Sequence, residues 1–139
     1  MRVASFSHEQ LERLYRVAQA IHVTLEPAEA LQRVVQESVQ LVNASSGSLA
    51  LVNPTTGLLE IGASEGLSAA GEALQLRMDE GITGWVARHG EPLRVGDVQA
   101  DDRYVSANPE VRSELAIPLR MDGEVRAVLN VDAERVDAF

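Results

Sequence analysis

The chain has 139 residues, 45% of them hydrophobic, which is the length of one domain with enough apolar material for one substantial core. Its 21 acidic and 12 basic residues leave a net charge of −9, a field that opposes non-specific contact with nucleic acid or an anionic membrane, and no apolar run reaches the roughly 18 residues of a membrane span. All the basic residues are Arg and there is no Cys, which excludes a lysine phosphate loop, a Schiff base, disulfides, thiolate metal sites and cysteine catalysis.

The first residues, MRVASFSHEQ, lack the apolar core of a secretion signal, so a cytoplasmic protein or a cytoplasmic piece of a longer one is expected. Ser7 and Gln10 have capping-box spacing, and Leu11, Leu14, Tyr15, Ala18 and Ile21 follow at helical intervals. A second helix is predicted from Pro27, with an apolar stripe of Leu31, Val34, Val35, Leu41 and Val42, ending near Asn43. Ser48–Val52 and Leu58–Ala63 read as a hairpin around the turn formers of residues 53–57. Residues 62–71 are small and polar and read as a loop, with room for a helical turn. Leu74, Leu76 and Met78 alternate as a third strand. Gly81–His89 is a short helix stopped by Gly90, and Leu93–Val95 is a brief strand. Residues 96–109 form a long loop of charges and turn formers. Glu114–Leu119 and Val125–Asp132 are the last strands, joined by a turn that includes Asp122 and Gly123.

Period-two alternation divides these strands into two faces. Leu49, Leu51, Leu115, Ile117, Leu119, Ala127, Leu129 and Val131 form an apolar face suited to packing against the helices. Ser48, Ala50, Val52, Glu114, Ala116, Pro118, Val128, Asn130 and Asp132 form a smaller, more polar face. Unpaired carboxylates are expensive to bury, so this second face either meets water or floors a pocket covered by residues 66–112.

Several residues are candidates for that pocket. Glu114 and Asp132 share its face and could hold an amine or guanidinium; alternatively, one of them pairs with Arg112 or Arg126 and faces water. Ser48 and Asn130 add hydrogen-bonding groups, and Tyr104 could line the entrance. Asp97, just after a strand, is a further pocket candidate, whereas Asp101 and Asp102 read as loop ties working with Arg103. Trp85 reads as a core anchor first and a ligand contact second. His8, His22 and His89 fit no metal spacing, so no metal and no cofactor are expected.

The stretch GITGWVARHGEPLRVGDVQADDR, residues 81–103, followed by SELAIP at Ser113–Pro118, resembles the central region of GAF domains. The resemblance runs from about Leu11 to Asp132. It implies an α+β fold in which a central antiparallel sheet of about six strands carries N-terminal helices on one face. Loops and short helices cover a ligand pocket on the other. It also implies a single domain over residues 1–139 that lacks its C-terminal helix. Bilin attachment in that family usually needs a Cys, and the Asn-Lys motif of its cyclic-nucleotide branch is absent. Ser113 to Leu115 and Asn130 to Asp132 are similar to substrate-binding segments of the free methionine sulfoxide reductases, a GAF branch whose chemistry needs a thiolate.

These readings predict a non-catalytic sensory domain, not an enzyme in itself. It would bind an unidentified small molecule and relay the signal through its flanking helices. The output domain would belong to a longer signalling protein, such as a sensor histidine kinase of a two-component system. A homodimer through the N-terminal helices is expected, with neither nucleic acid nor membrane as a partner. The rival reading is a ligand-free dimerisation module.

Overall fold

The computed structural model describes residues 7–13, 16, 26–106 and 108–139. The predicted capping box is formed: the Ser7 N–H donates to Gln10 Oε1 at 2.8 Å and the Gln10 N–H donates to Ser7 Oγ at 3.2 Å. Residues 8–13 are helical. Most of the predicted first helix beyond them, with His22, lies outside the described residues.

Helix α1, Pro27–Leu41, begins on its proline and buries Val35 and Val39. Strands β1, Ser46–Val52, and β2, Leu59–Glu65, form the first hairpin. Asn53 Oδ1 holds its turn by accepting from the Thr55 and Thr56 N–H groups at 2.9 and 3.2 Å. A short helix α2, Ala69–Glu72, starts at Ser68, whose hydroxyl accepts from the Gly71 N–H. Strand β3, Gln75–Leu76, leads to helix α3, Gly81–His89, then strand β4, Leu93–Val95, and a 3-10 turn at Val98–Ala100. Strands β5, Ser113–Met121, and β6, Glu124–Ala133, close the chain around Asp122 and Gly123. Both turn residues have positive φ, 54° and 81°, which matches the right-handed twist of a tight hairpin.

The six strands form one antiparallel sheet in the order β3-β2-β1-β6-β5-β4. The expected α+β architecture is therefore present. Its two faces support separate cores, as the alternation predicts. Val35 and Val39 of α1 pack with Leu49, Ala63, Ala127 and Val131 on one side. Ile82, Val86 and Ala87 of α3 pack with Ala50, Leu59, Ala116 and Val128 on the other.

Two local expectations need correction. Strand β2 continues to Glu65 through residues whose composition looks like a loop. It does so because β1 begins two residues early, at Ser46, and Gly47 pairs with Glu65; the ladder overrides the weak propensity of Gly62 and Ser64. Strand β3 is shorter than the Leu74–Met78 alternation suggests. A turn follows at once, with the Arg77 N–H on Glu80 Oε2 at 2.9 Å and the Glu80 N–H on the Arg77 carbonyl at 3.1 Å.

Candidate functional site

Register decides which side chains meet on the open face. Asp132 of β6 stands between Ser46 of β1 and Glu114 of β5, and Asn130 stands between Ser48 and Ala116. Directly opposed residues of an antiparallel pair share a face, so these two rows form one polar floor. Above it lies a cavity of about 90 Å³. Its walls include Leu59, Ile61, Leu67, Leu74, Leu76, Ile82, Val105 and Val111, with Tyr104 and Asn108 from the long loop.

The floor is electrostatically loaded. Glu114 is only 5% exposed. Burial pushes its carboxyl up to about 8, the neighbouring Asp132 charge adds to the rise, and the Asn130 side chain pulls the other way. Asp132 is raised as well, first by burial; the Ser46 hydroxyl, which donates to its Oδ1, opposes that rise. Burial also raises the Tyr104 phenol, followed by the charge of Glu114. Its hydroxyl donates to the Asn108 carbonyl at 3.4 Å. Asn130 Oδ1 is buried and has no hydrogen-bond partner among the described residues.

Among the described residues, no Arg or His side chain lines the cavity. The positive end is supplied by backbone instead. Gly81, Ile82 and Thr83, the first turn of α3, form part of the wall, and the N-cap residue Glu80 makes no side-chain cap there. The helix dipole and its leading N–H groups give that wall a partial positive charge. The cavity thus has a carboxylate pole on the sheet and a weaker positive pole on α3.

Of the residues singled out from sequence, Ser48, Tyr104, Glu114, Asn130 and Asp132 are brought together on this cavity. Asp97 and Trp85 are not among the residues that line it. Asp97 caps the 3-10 turn through the Gln99 N–H at 3.1 Å and pairs with Arg112 at 3.3 Å. Trp85 stacks on His89 with ring centroids 4.1 Å apart, and the Arg103 guanidinium lies 5.0 Å from its ring centroid. Nor do Arg112 and Arg126 neutralise the floor: Arg112 goes to Asp97, and Arg126 pairs with Glu124 at 2.9 Å.

Asp101 ties its loop as expected, accepting from the Arg103 N–H and Nε at 2.9 Å each and from Nη2 at 2.6 Å. Among the described residues there is no His, Asp and Glu cluster able to hold a metal ion. Sequence reasoning missed Ser46 and the α3 terminus. Ser46 was within reach, since it shares parity with Ser48; starting β1 two residues earlier exposes it.

A model of the GAF domain matches residues 24–139. The chain belongs to the GAF domain family. GAF domains are typically sensory or regulatory modules of signalling proteins, and one relative of this GAF domain fits that pattern. It is 29% identical over 100 residues to the Nif-specific regulatory protein of Azotobacter vinelandii, covering 69% of the chain and 19% of that protein. It is 29% identical over 83 residues to protein YtsP of Bacillus subtilis, covering 60% of the chain and 49% of that protein. The chain thus spans at most about half the length of these relatives.

Among solved structures, the GAF domain of a phosphoenolpyruvate-protein phosphotransferase from Coxiella burnetii superimposes with a TM-score of 0.84. It is 23% identical over 97% of this chain and 82% of its own. A free methionine-R-sulfoxide reductase from Neisseria meningitidis, in complex with its substrate, gives 0.86 at 21% identity. That match covers the whole of this chain and 83% of the reductase. These likenesses establish the shared fold.

The second one overturns the expectation that this GAF domain is not an enzyme. The same fold carries catalysts, so a sensor cannot be inferred from architecture. The missing Cys removes only those steps in which this chain would itself supply a thiol. Glu114, buried, and Asp132, half-buried, both of raised pKa, remain groups capable of acid–base work. Among the described residues no helix is long and apolar enough to cross a membrane.

Proposed function

We propose that this GAF domain binds a small molecule bearing a positively charged nitrogen and passes its occupancy through the flanking helices to the rest of a longer, cytoplasmic signalling protein. One observation carries the reading: Glu114 and Asp132 lie side by side on the floor of a cavity whose lining, among the described residues, includes no cationic side chain. A buried acid beside a half-buried one, with no counter-charge among the described residues, costs stability that a structural role does not explain. An ammonium group facing Glu114, Asp132 and the unpartnered Asn130 Oδ1 would repay that cost.

The positive pole at Gly81–Thr83 suits an anionic group at the ligand's other end. A short zwitterion such as a free amino acid matches both poles. The reductase of the same fold acts on free methionine sulfoxide, itself an amino acid, which supports that ligand class. The cavity of about 90 Å³ is well below the ≈300–1,000 Å³ of most ligand pockets, which favours a small amino acid and requires the cover to move for a larger one. The regulatory relative, of which the chain spans about a fifth, supports placement within a longer protein.

The test is a thermal-shift screen against free amino acids and short primary amines. A binder at a hundred times its Kd stabilises the fold by about 2.7 kcal/mol. Glu114→Gln, which leaves one potential negative charge on the floor, is expected to abolish the shift. If no compound stabilises the wild type while light scattering finds a stable dimer, the ligand-free dimerisation module is the correct reading.

A further inference from the structure

Ser64 is bonded to two other elements at once. Gln32 of α1 clasps its backbone, Nε2 donating to the Ser64 carbonyl at 2.6 Å and Oε1 accepting from the Ser64 N–H at 3.3 Å. The Ser64 hydroxyl donates to Glu72 Oε1, at the end of α2, at 3.0 Å. The clasp sits where β2 has run out of strand neighbour, because β3 pairs only with Leu59 and Glu60. The amide of Gln32 thus satisfies backbone groups that another strand would otherwise satisfy.

The chain between Ser64 and Glu72 is part of the cavity's cover: Gly66, Leu67, Ser68 and Gly71 all line it. It leaves the sheet at Gly66, where φ is 75° and a Cβ would lie 2.9 Å from the Ser45 carbonyl oxygen. Only glycine makes that turn easily, so the departure point is fixed. The segment is then tied back to Ser64 through Glu72. A loop anchored at both ends on one residue must load that residue when it lifts. Among the described residues, α1 is otherwise held by apolar packing on β1, β2 and β6, which is not directional and follows strands held by the ladder.

We propose that the Gln32–Ser64–Glu72 chain of hydrogen bonds couples the cover of the cavity to α1 on the opposite face of the sheet, with Gln32 as the positioning residue through which occupancy reaches that helix. This rests on the reading of the cavity as a ligand site. The cover is the two-state element: closed over about 90 Å³, or lifted for a larger occupant.

The coupling can be measured without any ligand. Amide exchange across Pro27–Leu41 is followed by mass spectrometry in the wild type, Glu72→Ala, Gln32→Leu and the double variant. Releasing the cover with Glu72→Ala is expected to speed exchange in α1 by about three- to tenfold when Gln32 is present, and by no further factor in the Gln32→Leu background. Equal effects in both backgrounds, or an effect of Glu72→Ala confined to the cover, overturns the proposal. Should Gln32→Leu fail to fold, Gln32→Glu replaces it, since it keeps the acceptor for the Ser64 N–H and loses the donor. A second arm adds L-alanine and L-methionine. The wild type is expected to gain protection in both cover and α1, and Gln32→Leu in the cover alone. Absence of protection anywhere counts against the ligand reading, while the double-variant result continues to judge the coupling.

Discussion

Glu114 ties the chemistry of the floor to the stability of the fold. Its carboxyl lies at about 8 in the folded protein against 4.5 when free, so the folded state holds a proton that the unfolded state has released over that interval. Stability from this group is therefore complete below pH 4.5 and is lost as the pH rises through 8. Glu114→Gln removes the titration. Urea denaturation is expected to find it more stable than wild type by ~1–3 kcal/mol at pH 8, with little difference at pH 4. Ligand binding has the opposite slope: a cation favours the ionised acid, so binding displaces the Glu114 proton. Calorimetric affinity for a cationic ligand is expected to rise between pH 6 and 8, by at most about tenfold per unit, and then to level off. An affinity that is flat with pH would place the cationic group away from Glu114. The pairing of Glu114 with Asp132 on one face was legible from alternation alone; their enclosure was not, because it depends on distant residues such as Ser46, 86 positions from the Asp132 it bonds.

At the scale of elements, the stretch around α3 reads as architecture. The Trp85 ring stacks on His89 and meets the Arg103 guanidinium, which Asp101 holds in place. Gly84 shows why this helix needs small residues: a Cβ there would lie 2.6 Å from the Arg77 carbonyl oxygen and 3.2 Å from the Asp79 backbone. Gly84→Ala forces α3 off the turn that ends β3 and is expected to cost ~1–3 kcal/mol in chemical denaturation, despite the better helix propensity of alanine. An unchanged or higher stability would mean that the helix can shift freely over that turn. Elements with clear periodicity or punctuation, such as α1, α3 and the last hairpin, were readable in sequence. The extension of β2 was not, because residues 62–65 are strand only by virtue of the partner that β1 offers.

For the whole molecule, the sheet separates a cavity side from a helix side, and the N-terminal helical segment bears on assembly. Leu11, in its described part, is 51% exposed. The proposed homodimer predicts a solution mass of about twice the 15.0 kDa of one chain, falling to the monomer when residues 1–25 are removed. Light scattering on both forms decides the matter, and a monomeric full chain rules out dimerisation through that segment. The sequence by itself determined the two faces of the sheet and the exclusion of thiol and lysine chemistry, since composition and period-two alternation are properties of the chain alone. The family was legible through the resemblance of residues 81–103 and Ser113–Pro118 to GAF domains. Only the tertiary structure decided that Asp97 and Trp85 turn to other partners, that Ser46 and the first turn of α3 join the cavity, and that both local Arg residues are spent elsewhere. Those outcomes depend on strand register and on the closure of residues 66–112 over the sheet, which are set by long-range contacts that no local pattern records.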